Sequence, residues 1–372
     1  MMKVLFMIPN FGHGGAEKVM VNLVNHMDKS KFSITVMTLY DEGVNKQFLA
    51  EGINYKSCLN RSFPGVAHLL KIFTPKQLYR YFVKEHYDVV ISYLEGQTAR
   101  IISGCDTTNT KKICWIHRTY NSKKEAARLF RSEQEAEQSY SSFDKIVSVS
   151  EDVQTAFMNL FSLEDKGVVL YNTNESDYIV QASKKPVPDN LFFPDEIKLC
   201  AMGSLISVKG FERLISVHQR LRKDNYPVHT YILGEGSKKE KLVSQIINLK
   251  VSDSVTLLGY QENPYCYMRQ CDVFVCSSYS EGFSTAVTEA LVLGMPVITT
   301  MVSGMRELLG QNNEYGVITE NNEDALYHGL RMLIQSLEKR NHYRKKAEER
   351  GKLFRTENTV REVEKLLITL RK

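Results

Sequence analysis

Apolar residues along this chain come in short, β-branched runs separated by stretches of helical period. The first half carries such runs at 4–8, 34–38, 89–92, 113–116 and 146–149, and the second at 198–202, 230–233, 255–258, 273–276 and 297–299. Runs this short and this continuously apolar, alternating with helix-length segments, predict parallel strands covered on both faces. Two such series predict an α/β protein of two doubly wound, Rossmann-like domains. These are expected to face each other across a cleft, because ligands of such sheets bind at the carboxyl ends of the strands. Between the series, 174–195 is rich in Asn, Ser, Lys and Pro and lacks a period, which makes it the expected linker. The domains are then 1–173 and 196–355, with 356–372 a terminal helix packing back on the first. From Asn322 onward the pattern is mostly helical, interrupted near Gly351.

Composition narrows the class. The chain has 372 residues, 43% hydrophobic and 24% charged, which fits two globular cores. Its seven cysteines form no C-x-x-C pair and most sit in apolar runs, as buried reduced thiols of a cytoplasmic protein do. The first apolar run ends at Pro9, too short for a signal-peptide core or a membrane span. Net charge is +5, yet from Arg61 to Arg131 there are 13 Lys or Arg against 5 Asp or Glu, so this sector carries +8 and the rest −3. Interleaved with Phe63, Leu69, Leu70, Ile72, Phe73, Tyr79, Tyr81 and Phe82, it fits an anionic membrane surface at the inner face of the plasma membrane, a lipid-linked diphosphate, or a solvated face over an ordinary core. Nucleic acid is not expected, since no recognised binding motif appears.

Three loops carry candidate chemistry. The run 4–8 is followed by Pro9-Asn10-Phe11-Gly12-His13-Gly14-Gly15-Ala16-Glu17 and a helix; glycines there let backbone approach an anion at a helix N-terminus. A dinucleotide fingerprint would need a glycine where Glu17 stands, so an NAD site is not expected. After 198–202 come Gly203-Ser204 and, six residues past the glycine, Lys209, just before an amphipathic helix over 211–221. An ammonium there can reach a phosphate as a mobile point charge. After 273–276, turn residues 278–282 lead through Phe283-Ser284-Thr285 into a helix ended by Gly294. Glu281 stands at the mouth of that helix N-terminus and Glu289 inside it, an arrangement suited to a ligand with both a diphosphate and hydroxyl groups, such as a nucleotide-sugar.

A hydrolase pair is a poorer fit, because eight largely helical steps put the carboxylates roughly 12 Å apart. No Asp-x-Asp and no His pair at ligand spacing occurs, so no metal is expected. His117, following Trp115 at a strand end, is either a structural histidine or a site residue. Glu95, in Tyr93-Leu94-Glu95-Gly96, is either an exposed loop carboxylate or an acceptor contact. Trp115 is expected in the core.

Gly203 to Gly210, Leu233-Gly234-Glu235-Gly236, Leu258-Gly259 with Asn263-Pro264, and Glu281 through Glu289 to Pro296 resemble the retaining GT-B glycosyltransferases with the Glu-x7-Glu motif. Gly14-Gly15-Ala16-Glu17, Trp115-x-His117, 147–151 and Tyr171-Asn172 extend the likeness over nearly the whole chain. The resemblance implies an N-terminal acceptor domain and a C-terminal nucleotide-sugar domain. In it Glu289 holds the ribose, Lys209 the diphosphate and Glu281 the donor sugar, and the amides of Phe283, Ser284 and Thr285 touch sugar or phosphate. Gly15 closes over the diphosphate and His117 sits beside the transferred sugar. Gly203 and Ser204 line the donor, which is a substrate, so no cofactor is implied.

One position departs from that family. An arginine usually follows the strand-ending glycine, and here it is Ser204, a loss of about 2 to 4 kcal/mol of transition-state stabilisation if nothing, such as Arg306, substitutes. The expected activity is transfer of a hexose or N-acetylhexosamine, with uridine the expected nucleotide, to a surface or capsular glycan on a polyprenyl diphosphate lipid. Two alternatives remain open. A nucleotide-sugar 2-epimerase has no acceptor and leaves the basic aromatic sector unexplained, whereas a non-catalytic assembly subunit would tolerate Ser204.

Overall fold

A computed structural model describes residues 1–12, 14–188 and 191–371. They form two compact units: Met1–Asn174 together with the terminal helix Thr356–Arg371, and Glu175–Arg355. The expected linker is not featureless, since its Ser176–Ala182 segment is a helix that belongs to the second unit. Asp189 and Asn190 of that stretch, and His13 of the first glycine loop, lie outside the described residues.

The first unit is built on seven parallel strands: β1 (Met2–Ile8), β2 (Phe32–Tyr40), β3 (Asn54–Leu59), β4 (Val89–Ser92), β5 (Lys111–Ile116), β6 (Lys145–Ser148) and β7 (Gly167–Val169). Their order is β3-β2-β1-β4-β5-β6-β7, so the winding direction reverses between β1 and β4. The second unit has six, also parallel: β8 (Ile197–Met202), β9 (Val228–Leu233), β10 (Val255–Gly259), β11 (Val273–Cys276), β12 (Val297–Thr300) and β13 (Val317–Thr319). Here the order β10-β9-β8-β11-β12-β13 reverses between β8 and β11. At each reversal the loops leaving two neighbouring strands turn away from one another and open a crevice at the strands' carboxyl ends.

Ten strands coincide with the apolar runs; β3, β7 and β13 do not. All three lie at sheet edges. An edge strand of a covered sheet has only part of its surface enclosed, so it needs no continuous apolar run: in β3, Asn-Tyr-Lys-Ser-Cys-Leu, every residue is exposed or half-buried. By contrast every residue of β4, β9, β11 and β12 is buried.

The terminal helix Thr356–Arg371 returns to the first unit. Its Glu364 accepts the Asp28 amide at 2.7 Å, and the Thr356 hydroxyl donates to the Asn174 carbonyl at 2.6 Å. The helical tail is also divided at Ser336, whose hydroxyl caps the helix Leu337–Gly351. Six of the seven cysteines are buried and all are free, and Trp115 is 2% exposed. Among the described residues no helix is long and apolar enough to cross a membrane.

Candidate active site

In the second unit the two loops that straddle the β8/β11 reversal bring Lys209 and Glu281 together. Lys209 Nζ lies 2.7 Å from Glu281 Oε1, and the same oxygen accepts the Ser278 hydroxyl at 2.6 Å. The lysine is 26% exposed and the glutamate 10%, so the pair is shielded on one side and reachable from the other. In this state the ammonium already has a counter-ion, and an incoming anion shares it.

Main chain, rather than side chain, shapes the surroundings. The aliphatic stem of Lys209 runs over Gly203, where a Cβ would sit 3.6 Å from Lys209 Cε. Gly210 has φ +64°, and a Cβ there would come within 2.1 Å of the Ser277 carbonyl. Only glycine fits a position both left-handed and this crowded. On the other side of β8, a Cβ on Gly234 would lie 1.9 Å from the Gly203 carbonyl oxygen, so the β8 and β9 ends touch through bare backbone. The Ser277 hydroxyl donates to the Lys209 carbonyl at 3.0 Å, and the Tyr279 amide donates to the Val208 carbonyl at 2.7 Å, stitching the two loops directly.

Beneath this seam is a residue that the sequence reading did not single out. Arg213 is 1% exposed. Its guanidinium donates from Nε to the Ser277 carbonyl at 2.6 Å, to the Ser278 carbonyl, to Thr300 Oγ1 at 3.0 Å and to Asn321 Oδ1 at 2.6 Å. It also lies over the Tyr279 ring, 4.1 Å from its centroid. Burial lowers its pKa, because the partners in direct contact are neutral. Arg213 holds the strand-end peptides four and three residues before Glu281. On a helix whose neighbouring Leu214 and Ile215 form core, an arginine looks like surface; only its place in the first turn, level with strand-end carbonyls, marks it out.

The helix Thr285–Val292 opens as its turn residues predict. Ser284 is its cap, accepting the Val287 amide at 3.4 Å, and Gly294 (φ +68°) follows its C-terminus. The capping hydroxyl occupies one amide of the first turn; those of Thr285 and Ala286 have no intrahelical acceptor by construction. Phe283 is buried, with its ring 6.0 Å from that of Phe354. Glu289 is 6% exposed and accepts the Tyr265 hydroxyl at 3.0 Å. Tyr265, first residue of the helix Tyr265–Arg269 after Asn263-Pro264, also escaped the sequence reading.

Ser204 is exposed at the loop's start. Arg306, weighed as a substitute cation, is exposed on the helix Met305–Leu309. That helix follows Gly304, where a Cβ would lie 2.8 Å from the Gly282 carbonyl oxygen.

The first unit gathers its own cluster at strand ends. Glu95, after β4, accepts the His117 amide, after β5, at 3.2 Å and faces Arg118 at 3.6 Å. Its side chain is 10% exposed and burial raises its pKa, so it is not the exposed loop carboxylate considered above. The His117 ring is 5.1 Å from Tyr93; its Nε2 is shut off from solvent without a hydrogen-bond partner among the described residues. Burial pushes its pKa down to about 4, so the ring is neutral near pH 7. Gly15 opens the helix Gly15–His26 after β1, the strand beside β4 at the reversal.

Family models match both units. Residues 13–173 match glycosyltransferase family 4, and residues 184–350 match glycosyl transferases group 1. The two domains are those of a GT-B glycosyltransferase.

Relatives of this glycosyltransferase include an N-acetylgalactosamine-N,N'-diacetylbacillosaminyl-diphospho-undecaprenol 4-alpha-N-acetylgalactosaminyltransferase from Campylobacter jejuni. It is 27% identical over 99% of this chain and 100% of its own. The O-antigen biosynthesis glycosyltransferase WclY from Escherichia coli is 29% identical over 45% of this chain and 46% of its own. Among solved structures, Anabaena Alr3699/HepE in complex with UDP superposes with a TM-score of 0.81 at 18% identity, covering 99% of this chain and 100% of that one. The apo lipopolysaccharide outer core galactosyltransferase WaaB gives 0.75 at 17% identity, with 99% of both chains covered. At these identities the structural likeness speaks for the fold.

Proposed function

We propose that this glycosyltransferase retains anomeric configuration and moves a hexose or N-acetylhexosamine from a uridine diphosphate donor to a glycan on a polyprenyl diphosphate lipid, in surface-polysaccharide assembly at the cytoplasmic face of a membrane. The observation that carries the reading is the Lys209–Glu281 pair, 2.7 Å apart at the reversal of the second sheet, followed by a helix that bears the buried Glu289. It is supported by the undecaprenol-linked substrate in the name of the Campylobacter relative and the UDP in the HepE complex.

In this scheme Glu289, oriented by Tyr265, takes the ribose hydroxyls, and the first-turn amides with Lys209 take the diphosphate. Glu281 then exchanges its contact with the ammonium for the hydroxyls of the donor sugar. As the bond from the anomeric carbon to the diphosphate oxygen breaks, negative charge grows on the leaving group, where Lys209 and the helix end stabilise it. The acceptor hydroxyl attacks from the face being vacated and passes its proton to a leaving-group phosphate oxygen, so the new bond has the configuration of the old. No enzyme nucleophile takes part, and the scheme assigns nothing to a metal or cofactor. Neutral His117 offers its imidazole to the sugar, Glu95 contacts the acceptor, and Gly15 lets the backbone approach the diphosphate. Ser204 leaves Lys209 as the loop's cation, which predicts modest turnover.

The test is a panel of nucleotide-sugars with and without a polyprenyl diphosphate acceptor. Nucleotide release that needs the acceptor, with a product of the donor's anomeric configuration, is expected. Altered sugar without acceptor would mean epimerisation, an inverted linkage would overturn the retaining scheme, and no turnover with any donor would make the chain a non-catalytic subunit.

A further inference from the structure

Between β3 and β4 the chain makes a short helix, Val66–Leu70, a tight turn, and a second helix, Pro75–Phe82, capped by Thr74. Three apolar side chains of the turn face solvent, Leu69 at 47% exposed, Ile72 at 68% and Phe73 at 45%, while Leu70 anchors it in the core. Its backbone is treated in the opposite way. Arg100, 2% exposed, donates to the Leu70 carbonyl at 2.9 Å and to the Phe73 carbonyl at 2.6 Å, and Arg131 donates to the carbonyls of Lys71 and Ile72. Glu135 fixes the Arg100 guanidinium with contacts of 2.8 and 3.0 Å. Four successive carbonyls are thus satisfied from within the protein, while Leu70 packs inward and the side chains of Ile72 and Phe73 face outward.

Water would satisfy those carbonyls without help, so a turn meant only for solvent gains little from two arginines. In hydrocarbon the requirement is different, because each backbone polar group must find its partner inside the protein. Charge agrees. From Arg61 to Lys84 the chain holds five Lys or Arg and no Asp or Glu. Lys76 and Arg80 share Asp106, whereas Arg61, Lys71 and Lys84 have no carboxylate partner among the described residues. Exposed apolar tips on a stretch of chain that also carries unpaired cations match the boundary between anionic headgroups and acyl chains.

We infer that the turn 69–73 is a preformed membrane wedge that seats Leu69, Ile72 and Phe73 among the acyl chains of an anionic phospholipid surface, with Arg61, Lys71 and Lys84 on the headgroups. It rests on the proposed lipid-linked acceptor only for the reason a membrane should be near. The wedge places the first unit at the surface where such an acceptor is embedded.

The test floats the full chain with vesicles of phosphatidylglycerol and phosphatidylethanolamine, and with phosphatidylcholine alone. Binding to the anionic vesicles, weakened by salt, is expected. Ile72→Ser with Phe73→Ser should weaken it by about tenfold or more, two apolar side chains being withdrawn from the acyl region. Because both positions are exposed, the fold and sugar transfer to a short-chain, water-soluble acceptor should be unchanged. Wild-type protein that ignores anionic vesicles, or a double variant that floats equally well, would overturn the inference. So would light scattering in which the double variant breaks up an oligomer of the free protein, since a second copy would then cover the turn. Vesicle binding without sugar transfer to any acceptor would instead remove the proposed reaction and leave the wedge standing.

Discussion

Replacing Arg213 by methionine keeps most of the side chain's bulk and removes every guanidinium donor. The consequences differ among its four partners. Asn321 is exposed and finds water, and the Ser278 carbonyl keeps the Thr300 hydroxyl at 2.7 Å. The Ser277 carbonyl keeps no side-chain donor that the structure shows, and an unsatisfied buried carbonyl costs about 1 to 3 kcal/mol. Taking about 2 kcal/mol for a unit of this size, the unfolding midpoint should fall by roughly 4 to 8 °C. The kinetic effect should be larger in proportion. The loosened peptides lead to Ser278, which holds Glu281, and a displacement of about 1 Å at a reacting group can cost on the order of 100-fold in rate. Nucleotide-release kinetics and thermal unfolding, run on Arg213→Met and Arg213→Lys, separate the two. Lysine should restore part of the midpoint, since it reaches one carbonyl but not the set. A methionine variant within about 1 °C and twofold of wild type would refute the reasoning that Arg213 positions the Glu281 loop.

The other predictions are more direct. Lys209→Ala should lower kcat by about 100- to 1000-fold with the fold intact, as expected for a cation on a leaving group; unchanged kinetics would remove it from the site. Glu289→Gln and Tyr265→Phe should raise the donor KM more than they lower kcat, and an unaltered KM in titrations of the uridine donor would sink the ribose assignment. Stability should also fall in acid because of His218, which lies between the Thr230 and Ser254 hydroxyls at 2.8 and 3.0 Å and whose pKa burial pushes down to about 3 from an ordinary 6.5. A histidine held neutral stabilises the fold fully above pH 6.5 and loses that contribution as pH drops toward 3, so about 2 kcal/mol should be gone at pH 5. Equal acid sensitivity in His218→Gln, followed by thermal melts at pH 7 and 5, would count against it.

Much of this architecture is legible in the residues because buried parallel strands must be apolar throughout. The runs at 89–92 and 273–276 coincide with β4 and β11. Legibility fails where burial is partial, as at the edge strands β3, β7 and β13, or where a three-residue strand is too short to show a period. Of the site, the loop residues were readable because glycine, lysine and glutamate in those places have few other uses. Arg213 and Tyr265 were not, since each acts through groups distant in sequence: Arg213 meets carbonyls 64 and 65 residues away, and Tyr265 a carboxylate 24 away. Glu95 was placed correctly at a strand end, but its enclosure by His117 and Arg118 depends on two neighbouring strands and leaves no local trace.

The contact of Gly203 with Gly234, and of Gly210 with Ser277, divides the loop after β8 into an invariable part and an adaptable one. Where main chain abuts main chain, even a methyl group has no room, so altered sugar preference cannot be engineered at those glycines. Ser204, Ile206, Ser207 and Val208 project outward from the same segment without such crowding. A library meant to change the donor while preserving the scaffold belongs at those four positions, with Ser204→Arg the first member to assay.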